Sequence, residues 1–124
     1  MASGPGYAKH PDHTVTTEKA SGKVRITRGG LTLADTDSAI ILREADYPPV
    51  AYIPREHVAK DAMEPVSKST HCPFKGDASY FTITGGGEPI TAGAWSYETP
   101  YDEVNAIAGH IAFDASHVSI EGVE

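Results

Sequence analysis

The only cysteine of this 124-residue chain, Cys72, lies in a segment that is dense in reactive side chains. Residues 70–80 read Thr-His-Cys-Pro-Phe-Lys-Gly-Asp-Ala-Ser-Tyr, which brings a thiol, an imidazole, an ammonium, a carboxylate and a phenol together. His71 could act as a base for Cys72 and make it a nucleophilic or redox-active thiolate. The alternative is a buried, unreactive thiol that packs as a small hydrophobic side chain. Cys72 and His71 are therefore the candidate catalytic residues.

Two cations are candidates for binding an anionic ligand. Lys75 precedes a glycine, and an ammonium on such a loop can bind a carboxylate or phosphate with help from backbone amides. The alternative is a solvated lysine, or one that is paired with Asp77. Arg55 could hold an anion through two parallel hydrogen bonds, or it could form a surface salt bridge of little energetic value.

Three aromatic residues are candidates for ligand contacts. Tyr80 stands on one predicted strand, and Trp95 and Tyr97 stand on the next, after a turn at 85–87. Trp95 and Tyr97 share one face of their strand because side chains alternate along it. If Tyr80 lies across from them, the three rings would wall a cleft that suits a flat or partly apolar ligand. The alternative is ordinary packing between neighbouring strands.

The histidines and the single cysteine limit what metal chemistry is open to the chain. One cysteine excludes an internal disulfide and any zinc site that uses two thiolates of the chain. Four histidines could meet around a metal, but their spacing contains no His-x-His and no His-x-x-x-His pattern. We expect no metal and no other cofactor. These histidines are His57, His71, His110 and His117.

Composition and charge bound the class of protein. Ten basic and seventeen acidic residues give a net charge of −7, which disfavours nucleic acid and anionic membrane partners. No apolar run reaches the ~18 residues of a membrane-spanning helix, and the first residues lack the pattern of a secretion signal, so we expect a cytoplasmic protein.

The length fits one domain. We expect a mobile arm over residues 1–12, rich in glycine and proline, and a single domain over 13–124.

Short strands separated by turn signals dominate the rest of the chain. The clearest is a hairpin at Gly29-Gly30, which predicts that Ile26 pairs with Leu33 and that Val24, Ile26, Leu31 and Leu33 share one face. A short helix is predicted near residues 100–108. The pattern as a whole is typical of a mostly β fold, a single folded antiparallel sheet or barrel.

Four ordered motifs carry a resemblance to a known family. They are Tyr-Ile-Pro-Arg-Glu-His-Val at 52–58, the 70–81 segment, Ala-Trp-Ser-Tyr-Glu-Thr-Pro at 94–100 and Ile-Ala-Gly-His-Ile-Ala-Phe at 107–113. Together they resemble the DUF427 family, which also carries a nucleotidyltransferase-like label. The resemblance implies a compact, Mss4-like β fold and no established reaction. The paired carboxylates after a Gly-Ser turn that nucleotidyl transfer requires do not occur in the chain.

Three functions follow from these patterns as hypotheses. The first is a small-ligand-binding or enzymatic domain with its site around residues 70–80, in which Cys72 supplies thiol chemistry and Lys75, Arg55, Tyr80, Trp95 and Tyr97 bind the ligand. The second is a protein-interaction module without catalysis. The third, nucleotidyl transfer, rests on the family label alone. An exposed edge strand would pair with a second copy in a homodimer.

Overall fold

The structure is a computed structural model that describes residues 3–123. It contains one short α-helix, ten β-strands and three 3₁₀ segments within that range. The 3₁₀ segments are Arg55–His57, Lys60–Ala62 and Asp102–Ile107. The helix and strands are α1 (Pro5–Lys9), β1 (Val15–Lys19), β2 (Val24–Arg28), β3 (Leu31–Thr36), β4 (Ile40–Glu44), β5 (Val50–Tyr52), β6 (Met63–Cys72), β7 (Gly76–Ile83), β8 (Ile90–Tyr97), β9 (Ile111–Phe113) and β10 (Ser119–Glu121).

The strands form three antiparallel sheets. Their strand orders are β1-β4-β5, β10-β2-β3 and β6-β7-β8-β9. This confirms a mostly antiparallel β fold, but the prediction of a single folded sheet or barrel is wrong for residues 3–123, which form several sheets and no closed barrel. Outside the three sheets there are isolated single-residue bridges between Ala34 and Val58 and between Ile53 and Ile111. Single bridges do not join the sheets into one continuous hydrogen-bonded ladder.

Two buried clusters fill the space between the sheets. The first is almost entirely aliphatic and includes Val24, Ile26 and Ile53, none of which is exposed to solvent. The second contains Tyr52 and Tyr97, with Trp95 and Tyr80 packed against it. The second cluster thus concentrates aromatic side chains, and it borders the candidate site described below.

The hairpin between β2 and β3 corrects one predicted register. Gly29 and Gly30 have φ of +56° and +83°, as a turn with two left-handed residues requires. Beyond the turn, however, Ile26 pairs with Ala34, because the register shifts between Ile26 and Thr27. The shift keeps Leu33 and Ala34 buried together and leaves Leu31 43% exposed, so Leu31 does not join the core face.

The helix predicted near residues 100–108 is a 3₁₀ segment over Asp102–Ile107. Val104 departs from helical geometry, with φ −125° and ψ 28°, so no regular α-helix forms. Val104 and Ile107 are fully buried in the second cluster, and this packing holds the segment in place. None of the helices in residues 3–123 is long and apolar enough to cross a membrane.

Candidate functional site

The 70–80 segment is the β6–β7 hairpin. Cys72 ends β6 and pairs with Gly76, the first residue of β7, so residues 73–75 make the turn. Gly76 has φ +112° and packs against the backbone of Pro100, where a side chain would be strained. The amide of Tyr101 donates to the carbonyl of Lys75 at 3.1 Å. Contacts with the 100–101 backbone thus fix the position of Lys75.

Lys75 forms a partly buried ion pair with Glu44, the last residue of β4. Lys75 Nζ lies 2.8 Å from Glu44 Oε1, and the two side chains are 17% and 15% exposed. The second oxygen of the same carboxylate, Oε2, lies 2.8 Å from His13 Nε2. Glu44 therefore joins two elements, the β6–β7 turn and the segment that precedes β1.

Electrostatics keep both members of the pair charged. Burial opposes ionisation of Glu44, but hydrogen bonds from Lys75 and His13 outweigh it and hold the pKa of Glu44 below its usual value. Burial likewise disfavours the ammonium of Lys75, but its hydrogen bond with Glu44 and nearby charges raise the pKa of Lys75. Lys75 is therefore a cation whose charge Glu44 already balances, and it is not a neutral amine nucleophile.

Aromatic side chains surround the ion pair on the core side. Lys75 Nζ lies 5.8 Å from the ring centroid of Tyr97, within reach of a cation–π interaction. The indole Nε1 of Trp95 donates to the hydroxyl of Tyr52 at 3.2 Å. Burial raises the pKa of Tyr52 and of Tyr97, so both phenols are neutral at physiological pH. These rings offer hydrogen bonds and apolar faces without adding charge.

The amino-terminal arm and His13, which directly follows it, pack on the same turn through the ring of Phe74. The ring of His13 stacks on Phe74 with centroids 4.1 Å apart, and the ring of Tyr7 meets it edge-on at 5.1 Å. The Gly6 amide donates to the Pro73 carbonyl at 3.0 Å, and the Tyr7 hydroxyl to the Phe74 carbonyl at 3.0 Å. The structure thus seats the predicted arm on the hairpin, while its mobility stays a prediction.

A cavity of about 590 Å³ opens beside the ion pair. Glu44 and Lys75 stand at one part of its wall, and most of the remaining wall is apolar. Tyr47 lies at its rim and is 68% exposed. The turn that presents Tyr47 contains Ala45 at φ +44°, held by hydrogen bonds from the Ala45 amide to Thr14 and from the Tyr47 amide to Glu44. The lining residues are Glu44, Tyr47, Pro48, Pro49, Val50, Ala51, Lys75, Trp95, Phe113, Asp114, Ala115, Ile120 and Val123.

The two candidate catalytic residues diverge in the structure. His71 and Cys72 are consecutive in β6, so their side chains project from opposite faces of the strand. His71 is exposed, and its Nδ1 lies 2.7 Å from a carboxylate oxygen of Asp77. Cys72 is half-buried and packs against the aromatic cluster. The fold therefore places Cys72 with the aromatic cluster and His71 with Asp77.

The predicted ligand-binding residues do not share one site in the structure. Trp95 and Lys75 line the cavity, and Tyr97 lies behind Lys75. Tyr80 is the direct cross-strand partner of Trp95, but it does not line the cavity, and its hydroxyl is 2.9 Å from that of Thr70. Arg55 lines a different and smaller groove, where it pairs with Glu98 and lies over the ring of Phe81.

The four histidines considered for a metal have separate neighbours. His57 bonds the Thr36 hydroxyl, His71 bonds Asp77, His110 bonds the Ala108 carbonyl, and His117 faces Asp114. Within residues 3–123 no three ligating side chains of His, Cys, Asp or Glu are grouped as a metal site would require.

Sequence reasoning missed Glu44, which is the central residue of the site. One signal was available: Ile40, Leu42 and Glu44 alternate along β4 and so share a face, and Leu42 is almost fully buried. A carboxylate that continues an apolar stripe needs a partner, because an unpaired buried charge is costly. No such signal exists for His13, since its contact with Glu44 depends on how the arm is placed.

The fold and site together define a small antiparallel β domain with an ion-paired, aromatic cavity. The chain belongs to the DUF427 family, a domain of unknown function, whose family model matches residues 16–124. Residues 3–15, which include α1 and His13, precede the matched range. A comparison with curated proteins found no match.

Proposed function

We propose that the chain is a small-molecule-binding domain whose site is the cavity beside Lys75 and Glu44. One observation carries the proposal: a partly buried ion pair stands in the wall of an otherwise largely apolar cavity of about 590 Å³. This volume lies within the range of about 300–1,000 Å³ that is typical of small-molecule sites. A few polar groups in an apolar wall are also what such sites use to orient a ligand.

The exposed ring of Tyr47 supports the same proposal. Tyr47 and Leu31 are the large apolar side chains that remain exposed in residues 3–123, and Tyr47 stands at the cavity rim. A ligand in the cavity would cover this ring and one side of Trp95. Covering apolar surface stabilises a complex by about 25 cal/mol per Å², before the entropic costs of association are subtracted.

The single tryptophan of the chain makes the proposal testable by fluorescence. N-phenylnaphthylamine is a neutral dye that emits strongly in apolar surroundings, and energy transfer from Trp95 would locate it at the cavity. We expect saturable dye emission that is excited through Trp95. Ala115→Phe, an exposed cavity-lining position, should weaken binding by about tenfold or more by filling the space.

Ala106→Phe provides the matched control. Ala106 is also exposed, but it lies in the 3₁₀ segment Asp102–Ile107, outside the cavity wall. This variant should bind the dye as the wild type does. Unsaturable emission, or equal loss of binding in the two variants, would contradict a ligand site at the cavity.

Several finer features remain part of the proposal. We infer that Cys72 does not contact the ligand, since it does not line the cavity, and Cys72→Ser should bind the dye unchanged. If Cys72 instead carried out a thiol-based reaction, Cys72→Ser would abolish that reaction. The Mss4-like arrangement, the cytoplasmic location and a homodimer formed through an edge strand are kept as hypotheses.

A further inference from the structure

The charge around the cavity indicates which ligands it would take, and this inference rests on the proposed function. Among the described residues of the wall the only lysine or arginine is Lys75, and its ammonium is already paired with Glu44 at 2.8 Å. An anionic ligand would therefore have to break an existing pair before it gained one. That exchange offers little net energy, because one partly buried charge pair would merely replace another.

A second carboxylate in the wall, Asp114, is held by a turn and not by a lysine or arginine. Asp114 follows β9, and its Oδ1 accepts hydrogen bonds from the hydroxyl of Ser116 at 2.7 Å and from the Ser116 amide at 3.0 Å. These bonds lower the pKa of Asp114 and keep it ionised. Its Oδ2 lies 3.8 Å from His117 Nε2, beyond hydrogen-bonding distance.

The sum of these wall charges is one negative charge. Glu44 and Asp114 contribute two, and Lys75 offsets one of them. The chain as a whole carries −7, which attracts cations toward every surface opening. Trp95 in the wall and Tyr47 at the rim add ring faces, which attract organic cations through their quadrupoles.

From these contacts we infer that the cavity selects ligands with a flat apolar body and one positively charged ammonium group. The apolar body would lie against Trp95 and the apolar wall, and the ammonium would face Asp114. An anionic or neutral molecule of the same shape would gain the apolar contacts alone. Lys75 would serve to neutralise Glu44 rather than to hold a ligand anion.

Three probes of nearly equal shape test this inference by isothermal titration calorimetry: naphthylmethylammonium, naphthylmethanol and naphthylacetate. We expect the ammonium to bind at least about fivefold more tightly than the other two, as a partly solvated cation–π and charge contact would give. Raising the salt from about 0.02 M to about 0.5 M should shrink this preference, because Asp114 is 44% exposed and salt screens exposed charges.

Two isosteric variants assign the preference to one carboxylate. Asp114→Asn keeps the oxygen that accepts the Ser116 bonds, so the turn should fold, yet it should lower ammonium affinity about threefold or more and leave the alcohol unaffected. Asp61→Asn removes the same charge at an exposed position outside the cavity wall, and it should change none of the three affinities.

The possible failures are distinguishable from one another. If no probe binds, the proposed function is wrong and the inference falls with it. If all three bind equally, or if naphthylacetate binds most tightly, the cavity remains a ligand site and the preference for cations is wrong. An ammonium preference that survives Asp114→Asn would overturn the role given to Asp114.

Discussion

At the scale of single residues, Glu44 determines the character of the site. Each of its two oxygens contacts a different partner, Lys75 through Oε1 and His13 through Oε2. A carboxylate that is satisfied on both sides can stay ionised despite burial. Because it also fixes where the Lys75 ammonium lies, Glu44 sets both the charge and the shape of the polar part of the cavity.

The first prediction concerns the coupling between Glu44 and Lys75. Glu44→Gln should lower the free energy of unfolding by about 1–3 kcal/mol, because it leaves the Lys75 cation partly buried without its counter-charge. Lys75→Met should cost a similar amount for the converse reason. The double variant should cost less than the sum, with a coupling energy of at least about 1.5 kcal/mol from urea unfolding of all four proteins.

A surface pair that also includes a β4 residue serves as the control. Arg43 in β4 and Glu18 in β1 are 46% and 57% exposed, so Arg43→Met and Glu18→Gln should show a coupling energy below about 0.5 kcal/mol. Strictly additive effects at Glu44 and Lys75 would contradict the importance assigned to their pair.

The site was only partly predictable at this scale. Sequence reasoning singled out Lys75 and Trp95, which line the cavity, and Tyr97, which does not, because functional groups are dense in the 70–80 segment and the two aromatic residues share one face of a strand. Glu44 was missed because sequence alone does not show that the end of β4 meets a turn 31 positions away. Asp114 and Tyr47 were missed for the same reason, since the cavity assembles from loops that are distant in the chain.

At the scale of elements, the arm and the β6–β7 turn stabilise one another. Gly6 is buried in α1, and a methyl group in place of its α-hydrogen would lie 2.8 Å from a Phe74 ring carbon. Such a distance is far shorter than a carbon–carbon contact allows. Only glycine therefore lets α1 approach the ring, and the contact places His13 beside Glu44.

The second prediction follows from this close approach. Gly6→Leu should release the arm from Phe74, and trypsin should then cleave after the exposed Lys9 about tenfold faster, as weakening of docking by about 1.4 kcal/mol would produce. Intact mass spectrometry would follow the cut. Gly22→Leu is the matched control, because no atom lies within 4 Å of a side chain added there, and its cleavage after Lys9 should match the wild type. Equal rates in all three proteins would show that the contact does not hold the arm.

Elements were more predictable than their assembly. Turn residues and alternation located some of the strands, since Gly29-Gly30 marks one hairpin turn and apolar alternation identified β7 and β8. The register of β2 against β3 failed at Ile26, because burying Leu33 and Ala34 together required an irregularity that no local pattern encodes. Closure into a barrel failed in the same way, since contacts between sheets are long-range.

At the scale of the whole molecule, ionised carboxylates hold elements and turns in place, and two of the three described below join parts of the chain that are distant in sequence. Glu44 connects β4 to His13, which directly follows the arm, and to the β6–β7 turn. Glu103, in the 3₁₀ segment Asp102–Ile107, accepts hydrogen bonds from the Ser3 hydroxyl and from the Gly4 amide. These bonds connect the arm to that segment. Asp114 closes the turn after β9 through Ser116. In each of these contacts one of the three carboxylates is the acceptor.

The third prediction is therefore acid sensitivity with a defined sign. The pKa of Glu103 is lowered by the Ser3 and Gly4 bonds and that of Asp114 by the Ser116 bonds, while the pKa of Glu44 is lowered by Lys75 and His13 against the opposing effect of burial. A carboxyl whose pKa is lower in the folded state binds fewer protons there than in the unfolded chain. Its stabilising contribution is thus complete above the unfolded pKa and is lost as the pH falls through the folded pKa.

We accordingly expect the free energy of unfolding to fall steadily from about pH 5 toward about pH 3, measured by urea titration at each pH. Glu44→Gln has no carboxyl to protonate at this position, so its stability should fall less steeply, and its curve should approach that of the wild type at the acidic end. Asp61→Asn, at an exposed position, should run parallel to the wild type. A Glu44→Gln curve that stays equally far below the wild type at every pH would show that the variant disturbs packing instead, and that the ionised carboxylate is not what holds these elements together.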